Sequence, residues 1–267
     1  MNDKSVSVLI TSFNQARLLP RAIDSVLSQK TNFKFEVIIV DDGSTDGSKE
    51  IISGYGERVS PVFNHHGGMM KTYDTGFKYC DGKYVAFCDC DDYWCNDNKL
   101  QIQFDYMESH PDIGVCLTKI NIEKDGEIIQ ELRSIKELQD SVTYNYLLMG
   151  KAYIHAQSYF LRRSEMPDFE KFIKLGFKRW DFPLMLSMIQ HSKFVVLDFT
   201  SAVYHQKNES FTQTSNRKKR LAFILDNYYI RLYYILRYRC SINTLLFLIY
   251  RFLRDLISVI FKRWIKS

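Results

Sequence analysis

Within its first ninety residues the chain alternates four times between strand-like and helix-like patterns, and this restricts its fold more than any other feature. Residues 6–11 form a β-branched apolar run. Residues 17–29 carry apolar side chains at 18, 19, 22, 23, 26 and 27, the spacing of one helix face. A buried strand is expected over 35–40 (FEVIIV). A helix should follow over 45–54, with Ser44 or Thr45 as its cap. Residues 59–63 read as a strand, 68–80 as a helix and 83–88 as another strand. Such alternation predicts an α/β fold: a doubly wound, mixed and mostly parallel sheet flanked by helices. Ligands of these sheets bind beyond the carboxyl ends of the strands.

Three polar clusters fall at those ends. Thr11-Ser12-Phe13-Asn14 follows the first strand, Asp41-Asp42-Gly43-Ser44 the second, and Asp89-Cys90-Asp91-Asp92 the fourth. Three carboxylates within four residues repel one another and raise one another's pKa. A divalent cation relieves that cost, and Mg²⁺ or Mn²⁺ shares its coordination sphere readily with phosphate oxygens. A diphosphate leaving group needs such an ion to take up developing charge. Asp41 and Asp42 suit a different task, since a carboxylate accepts hydrogen bonds from a ring N–H, such as N3–H of uracil, and from ribose hydroxyls. Thr11, Phe13 and Asn14 would line the same base pocket. The bland alternatives are a solvated acidic turn and core packing of Phe13.

In this order and spacing, residues 7–29, 35–48 (FEVIIVDDGSTDGS) and 82–94 (GKYVAFCDCDDYW) resemble the family 2 glycosyltransferases of the GT-A fold, over about residues 4–205. The resemblance implies inverting transfer of a sugar from a nucleoside-diphosphate donor, UDP-linked in most cases, with Mn²⁺ or Mg²⁺. Thr11, Phe13 and Asp42 match nucleoside-binding positions, with Asp41 beside them. Asp89 and Asp91 match the D-x-D pair, Asp89 toward the ribose and Asp91 toward the metal and diphosphate, and Asp92 shares the metal or faces the sugar. The family's common Arg-Asn pair is replaced by Tyr73-Asp74, which leaves Lys71 to supply positive charge near a phosphate. Asp181 matches the general base, with Trp180 where the family has Glu; Asp181 is also placed to cap a helix. His205 stands where Arg is common, as a phosphate contact or metal ligand, and Lys207 where His is common.

The middle of the chain is less regular. Helices are expected over 98–109, 134–150 and 181–190, and strands over 113–122, 156–161 and 194–198, with a turn at Lys124-Asp125-Gly126. Residues 216–267 differ in kind. They hold 12 Lys/Arg against 2 Asp/Glu, whereas the remainder carries a balance of −5. Two aromatic, apolar and basic helical stretches (221–239 and 242–265) carry charges that argue against a spanning helix. A basic amphipathic segment at a membrane interface fits them, as does an ordinary helical pair packed on the domain or a dimer contact. The domains expected are therefore 1–215, catalytic, and 216–267, helical and possible membrane contact. The Leu, Ile and Phe content favours lipid over nucleic acid.

The apolar run at 6–10 is too short for a signal-peptide core, so a cytoplasmic chain, peripheral on the inner membrane face, is expected. The six cysteines lack paired zinc-ligand spacing and read as reduced thiols. Rival functions remain. A nucleotidyltransferase would carry a glycine-rich basic loop after the first strand, where this chain has Thr-Ser-Phe-Asn-Gln, and a dinucleotide-binding oxidoreductase would need G-x-G-x-x-G, which is absent. A nucleotide-sugar-binding or scaffold protein without activity is disfavoured by Asp42, Asp89, Asp91 and Asp181. The expected acceptor is a glycan or a lipid-linked glycan, in surface polysaccharide synthesis.

Overall fold

The computed structural model describes residues 5–206 and 216–260. The first half alternates as expected: β1 (Val6–Ser12), α1 (Leu19–Leu27), β2 (Phe35–Asp41), α2 (Ser48–Gly54), β3 (Ser60–Phe63), α3 (Met69–Tyr79) and β4 (Tyr84–Phe87). There follow β5 (Tyr93–Trp94), α4 (Lys99–Ser109), β6 (Ile113–Lys124), β7 (Glu127–Ile129), α5 (Ile135–Ser141), α6 (Tyr144–Met149), β8 (Phe160–Arg162), α7 (Phe169–Lys174), α8 (Asp181–Met188) and β9 (Lys193–His205). Two long helices, α9 (Arg217–Arg237) and α10 (Ile242–Ile260), complete the described chain.

One sheet runs in the order β3-β2-β1-β4-β8-β6-β9-β5, with β7 paired to β6. Its first four strands are parallel, and β8 is antiparallel to both β4 and β6. The central strands β1, β2 and β4 are buried on both faces, which is why they read as unbroken apolar runs. Register sets their carboxyl ends side by side: Ser12 lies opposite Asp41, and Leu9 opposite Phe87. α1 closes one face with Leu19, Ala22, Ile23 and Val26, and Pro20 occupies its first turn, where a missing N–H costs nothing.

Several boundaries differ from expectation for local reasons. α2 starts at Ser48, because Ser44 turns back to Asp41 and Gly47 adopts φ 88° just before the helix. The stretch 134–150 is two helices, since Ser134 forms a complete capping box and Thr143 starts a second helix with its own side-chain cap. Residues 156–158 make a 3-10 turn before β8, and β9 runs to thirteen residues along β6. Asp181 is the first residue of α8 but caps nothing; Trp180 precedes it at the cap position. All six cysteines are free thiols.

α9 is bound to the body of the fold. Ile230 and Tyr234 are buried. The Tyr234 hydroxyl donates to the Pro183 carbonyl at 2.8 Å, and Tyr144 donates to the Tyr234 carbonyl at 3.0 Å. The outer face of the pair is apolar and exposed, with Leu236 79% and Leu246 59% accessible. Among the described residues no helix is long and apolar enough to cross a membrane.

Candidate active site

A cavity of about 340 Å³ opens beyond the carboxyl ends of β1, β2 and β4. Thr11, Phe13, Asp42, Asp89 and Asp91 line it, joined by His66, Tyr73 and Trp180. The three sequence clusters thus meet at one sheet edge.

Asp42 is nearly buried, and its carboxylate accepts from the backbone N–H groups of Gly67 and Gly68, each at 2.9 Å. His66 Nδ1 lies 2.8 Å from the same carboxylate, and its ring stacks on Phe13 at 4.3 Å. The 64–68 loop approaches so closely because Gly43 has no side chain. A Cβ there would stand 2.8 Å from the His66 nitrogen, and φ is +80°.

Asp89 accepts a hydrogen bond from Thr11 Oγ1 at 3.3 Å and a short one from the Tyr73 hydroxyl. Burial first, and then the Asp91 charge, push its carboxyl up to about pKa 6, against the pull of the Tyr73 and Thr11 hydroxyls. Burial also raises the pKa of Asp92, with Asp91 and Asp89 adding to it. Asp92 is sealed behind the cavity, where it accepts from Gln157 and, at 2.7 Å, from the backbone N–H of His205. The His205 ring faces Glu123 at 3.3 Å rather than Asp91.

The remaining expected residues take supporting places. Asp41 is buried, and its two oxygens accept from the Ser44 backbone at 2.8 Å and the Ser44 hydroxyl at 2.5 Å, so it braces the loop from behind. Asn14, at φ 52°, ties the first two clusters together. Its N–H donates to Ser44 Oγ and its Oδ1 accepts from the Thr45 N–H, both at 2.8 Å. Lys71 sits in the first turn of α3 with its alkyl chain against Gly67, outside the cavity lining. Asp181 lies beside the cavity, near enough for its charge to raise both Asp89 and Tyr73. Both its oxygens are held by Arg179, at 3.2 and 2.8 Å. Lys207 lies outside the described residues.

Among the described residues, no group of three or more His, Cys, Asp or Glu side chains is arranged to enclose a cation by protein ligands alone. The donor set still fits Mg²⁺ or Mn²⁺. Asp91 and Asp89 both reach the cavity, and such ions are commonly held by one or two carboxylates plus substrate phosphates. Ser12 also lines the cavity, and its Oγ is buried without a hydrogen-bond partner.

The sequence profile described as glycosyl transferase family 2 matches residues 7–170. The chain belongs to this family. A Nostoc relative described as an uncharacterized glycosyltransferase is 40% identical over 114 residues, 41% of this chain and 35% of its own length. The Escherichia coli UDP-Glc:alpha-D-GlcNAc-diphosphoundecaprenol beta-1,3-glucosyltransferase WfgD is 25% identical across 89% of this chain and 93% of its own length. The chain spans about a fifth to a half of the length of the curated relatives of higher identity, among them the Nostoc, Mycobacterium tuberculosis and Rickettsia proteins. Among solved structures, Staphylococcus aureus TarS 1–349 with UDP-GlcNAc superposes at TM-score 0.61 and 17% identity, over 97% of this chain and 82% of that one. A Pyrobaculum calidifontis mannosyltransferase with GDP-Man and Mn²⁺ superposes at TM-score 0.59 and 13% identity, over 95% and 69%. These neighbours fix the fold as GT-A.

Tyr73 and Trp180, which the sequence resemblance sets against Arg and Glu, stack on each other at 3.8 Å. Sequence inspection noted each alone; nothing in the spacing showed that they touch. Neither Ser12, which lies between Thr11 and Phe13, nor His66 was assigned a site role of its own from the sequence.

Proposed function

We propose that this family 2 protein transfers a sugar, with inversion, from a nucleoside-diphosphate donor, UDP-linked in the first instance, to a hydroxyl of a lipid-linked or glycan acceptor. The observation that carries this reading is the convergence of Asp42, Asp89 and Asp91 with Phe13 and Thr11 on one cavity. In this reading Phe13 and His66 bound the base, Asp42 and Thr11 the nucleoside, and Asp89 the ribose. Asp91, with Asp89, would hold Mn²⁺ or Mg²⁺, which supplies positive charge for the diphosphate leaving group. Asp92, Asp41 and Asn14 hold the loops that carry these groups, and His205 fixes the floor through its backbone. Lys71, in the first turn of α3 and outside the cavity lining, would supply positive charge near a donor phosphate.

Asp181 takes the proton of the acceptor hydroxyl as that oxygen attacks the anomeric carbon, and the nucleoside diphosphate departs from the opposite face. Arg179 aims the Asp181 carboxylate from behind. The name of WfgD, an enzyme acting on a diphosphoundecaprenol-linked sugar and similar over nearly its full length, supports a lipid-linked acceptor. The exposed apolar face of α9 and α10, flanked by Lys218, Arg220 and Arg254, supports contact with a membrane surface.

A screen of UDP- and GDP-sugars for Mn²⁺-dependent hydrolysis tests the donor assignment. Release of UDP or GDP from one of them is expected. Absence of hydrolysis and of UDP binding in both wild type and Asp91→Ala would retire the donor site and favour a scaffold.

A further inference from the structure

A second cavity, of about 290 Å³, lies between α6, α8, α9 and α10, on the far side of Arg179 from Asp181. Three guanidinium groups line it, Arg179, Arg231 and Arg251, against the single carboxylate of Asp255. Arg179 already holds Asp181 and donates to Asn227 at 3.1 Å. Asp255 accepts from Tyr228 at 3.2 Å and pairs with Arg254 at 3.0 Å, leaving it 3.8 Å from Arg251.

Arg231 is the unusual member. It is 7% exposed, yet among the described residues no carboxylate pairs with it. It donates to the Leu148 and Asn227 carbonyls at 2.6 and 3.1 Å and lies over the rings of Phe182 and Tyr228. Burial, with Arg251 and Arg179 adding to it, lowers its pKa to about 10. A buried cation without a counter-ion is costly. A terminal nitrogen of Arg231 and one of Arg251 come within 3.0 and 3.2 Å of where a Cβ on Gly150 would stand, so a glycine keeps the two guanidiniums side by side. Paired, forked donors of this kind match phosphate oxygens.

The cavity does not end there. Tyr228 and Arg231 also line an apolar groove of about 410 Å³ between α9 and α10, walled by Leu232, Ile235, Leu248 and Ile249. Charge at one end and hydrocarbon along the other describe an amphiphile with an anionic head.

We infer that this cavity and groove together bind the acceptor carrier, a polyprenyl-type lipid diphosphate, with its diphosphate on Arg231 and Arg251 and its chain between α9 and α10. The inference rests on the transferase reading above for the word acceptor, but not for the binding itself. Arg179 spans from the cavity to Asp181, so a sugar attached to a diphosphate held there is directed toward the base. Arg179 is accordingly a positioning residue for both.

Calorimetric titration of the full chain with farnesyl diphosphate, farnesol and inorganic pyrophosphate tests this. Farnesyl diphosphate should bind about tenfold or more tightly than either partial ligand. Arg251→Gln at the cavity rim, and Arg231→Gln within it, should each weaken farnesyl diphosphate by about tenfold with the melting temperature followed as a control. Leu232→Glu in the groove should weaken farnesyl diphosphate but not pyrophosphate. Equal affinity for pyrophosphate would make this a free-anion site, and equal affinity for farnesol, or insensitivity to Arg251→Gln in a folded variant, would remove the diphosphate; each overturns the inference. UDP binding measured beside it separates the two readings. Diphosphate-selective binding in a chain that ignores UDP upholds the carrier cavity and retires the transferase. UDP binding without diphosphate selectivity does the reverse.

Discussion

At the scale of single residues, the proposed chemistry turns on Asp181 and on the Tyr73–Trp180 pair beside it. Asp181→Asn keeps the shape of the side chain but removes its ability to accept a proton. Transfer should fall by about a hundredfold or more while UDP affinity stays within about twofold, read from steady-state rates and calorimetry. Transfer surviving the change would remove Asp181 as base. The stacked pair makes a sharper forecast. Trp180→Glu alone would put a carboxylate against the Tyr73 ring, in a pocket where Trp180 is 4% exposed, and should destabilise the fold by about 2–4 kcal/mol. Adding Tyr73→Arg places a guanidinium against that carboxylate. Denaturant melts of the double variant should then recover about 1–3 kcal/mol over the sum of the single changes. Strict additivity would mean that the two positions are not coupled.

At the scale of elements, the site depends on how closely strands and turns approach. Gly82, in the turn before β4, packs against the backbone of β1: a Cβ would stand 2.6 Å from the Ser7 nitrogen and 2.7 Å from the Val6 carbonyl carbon. Its own N–H donates to Ser7 Oγ at 2.8 Å. Gly82→Ala must therefore push β4 away from β1, at a cost of about 1–3 kcal/mol or more. Because Asp89 follows β4 and Thr11 lies near the end of β1, UDP affinity should fall along with the melting temperature. A variant of unchanged stability would show that the two strands have slack. The carboxyl ends of β1, β2 and β4 function as one rim, and the loops between them are cross-braced by Asn14, Ser44 and Asp41 rather than by regular structure.

The whole molecule carries a charge in its core. Lys99 is fully buried, donates to Gln103 at 2.5 Å and lies 4.5 Å from the centre of the Trp94 ring. Burial lowers its pKa to about 7. In the unfolded chain a lysine titrates near pH ~10.4, so between these values the unfolded state holds more protons and stability rises with pH. The contribution is full above about pH 10.4 and is lost progressively as pH falls to about 7. From pH 7 to about 8.5, before the thiols and tyrosines intervene, wild type should gain about 1.5 kcal/mol relative to Lys99→Met, measured by denaturant titration at each pH. Parallel curves for the two proteins would mean that Lys99 finds water when charged. The exposed apolar face of α9 and α10 belongs to this scale too, because it is part of the surface of the assembled fold rather than of either helix alone.

The convergence of the candidate site was legible in the sequence because strand-end clusters need only the sheet to bring them together. A parallel sheet aligns the ends of its strands whatever the loops do, so Thr11, Phe13, Asp42, Asp89 and Asp91 could be assigned to one edge from pattern alone. The division of labour inside each cluster was not legible. Adjacent carboxylates on a turning chain point in different directions, so Asp41 faces Ser44 while Asp42 faces the cavity, and Asp92 faces Gln157 while Asp89 and Asp91 reach the cavity. Residues distant in sequence were less legible still. Tyr73 meets Trp180 across 107 positions, and Arg231 meets Arg251 over Gly150, through packing of α3, α8, α9 and α10 that no local pattern encodes. Periodicity and motif order, which are local, determined the fold class and the sheet edge at which the polar clusters meet. The orientation of each carboxylate and the arginine cavity required the tertiary structure, because both depend on which distant surfaces exclude water together.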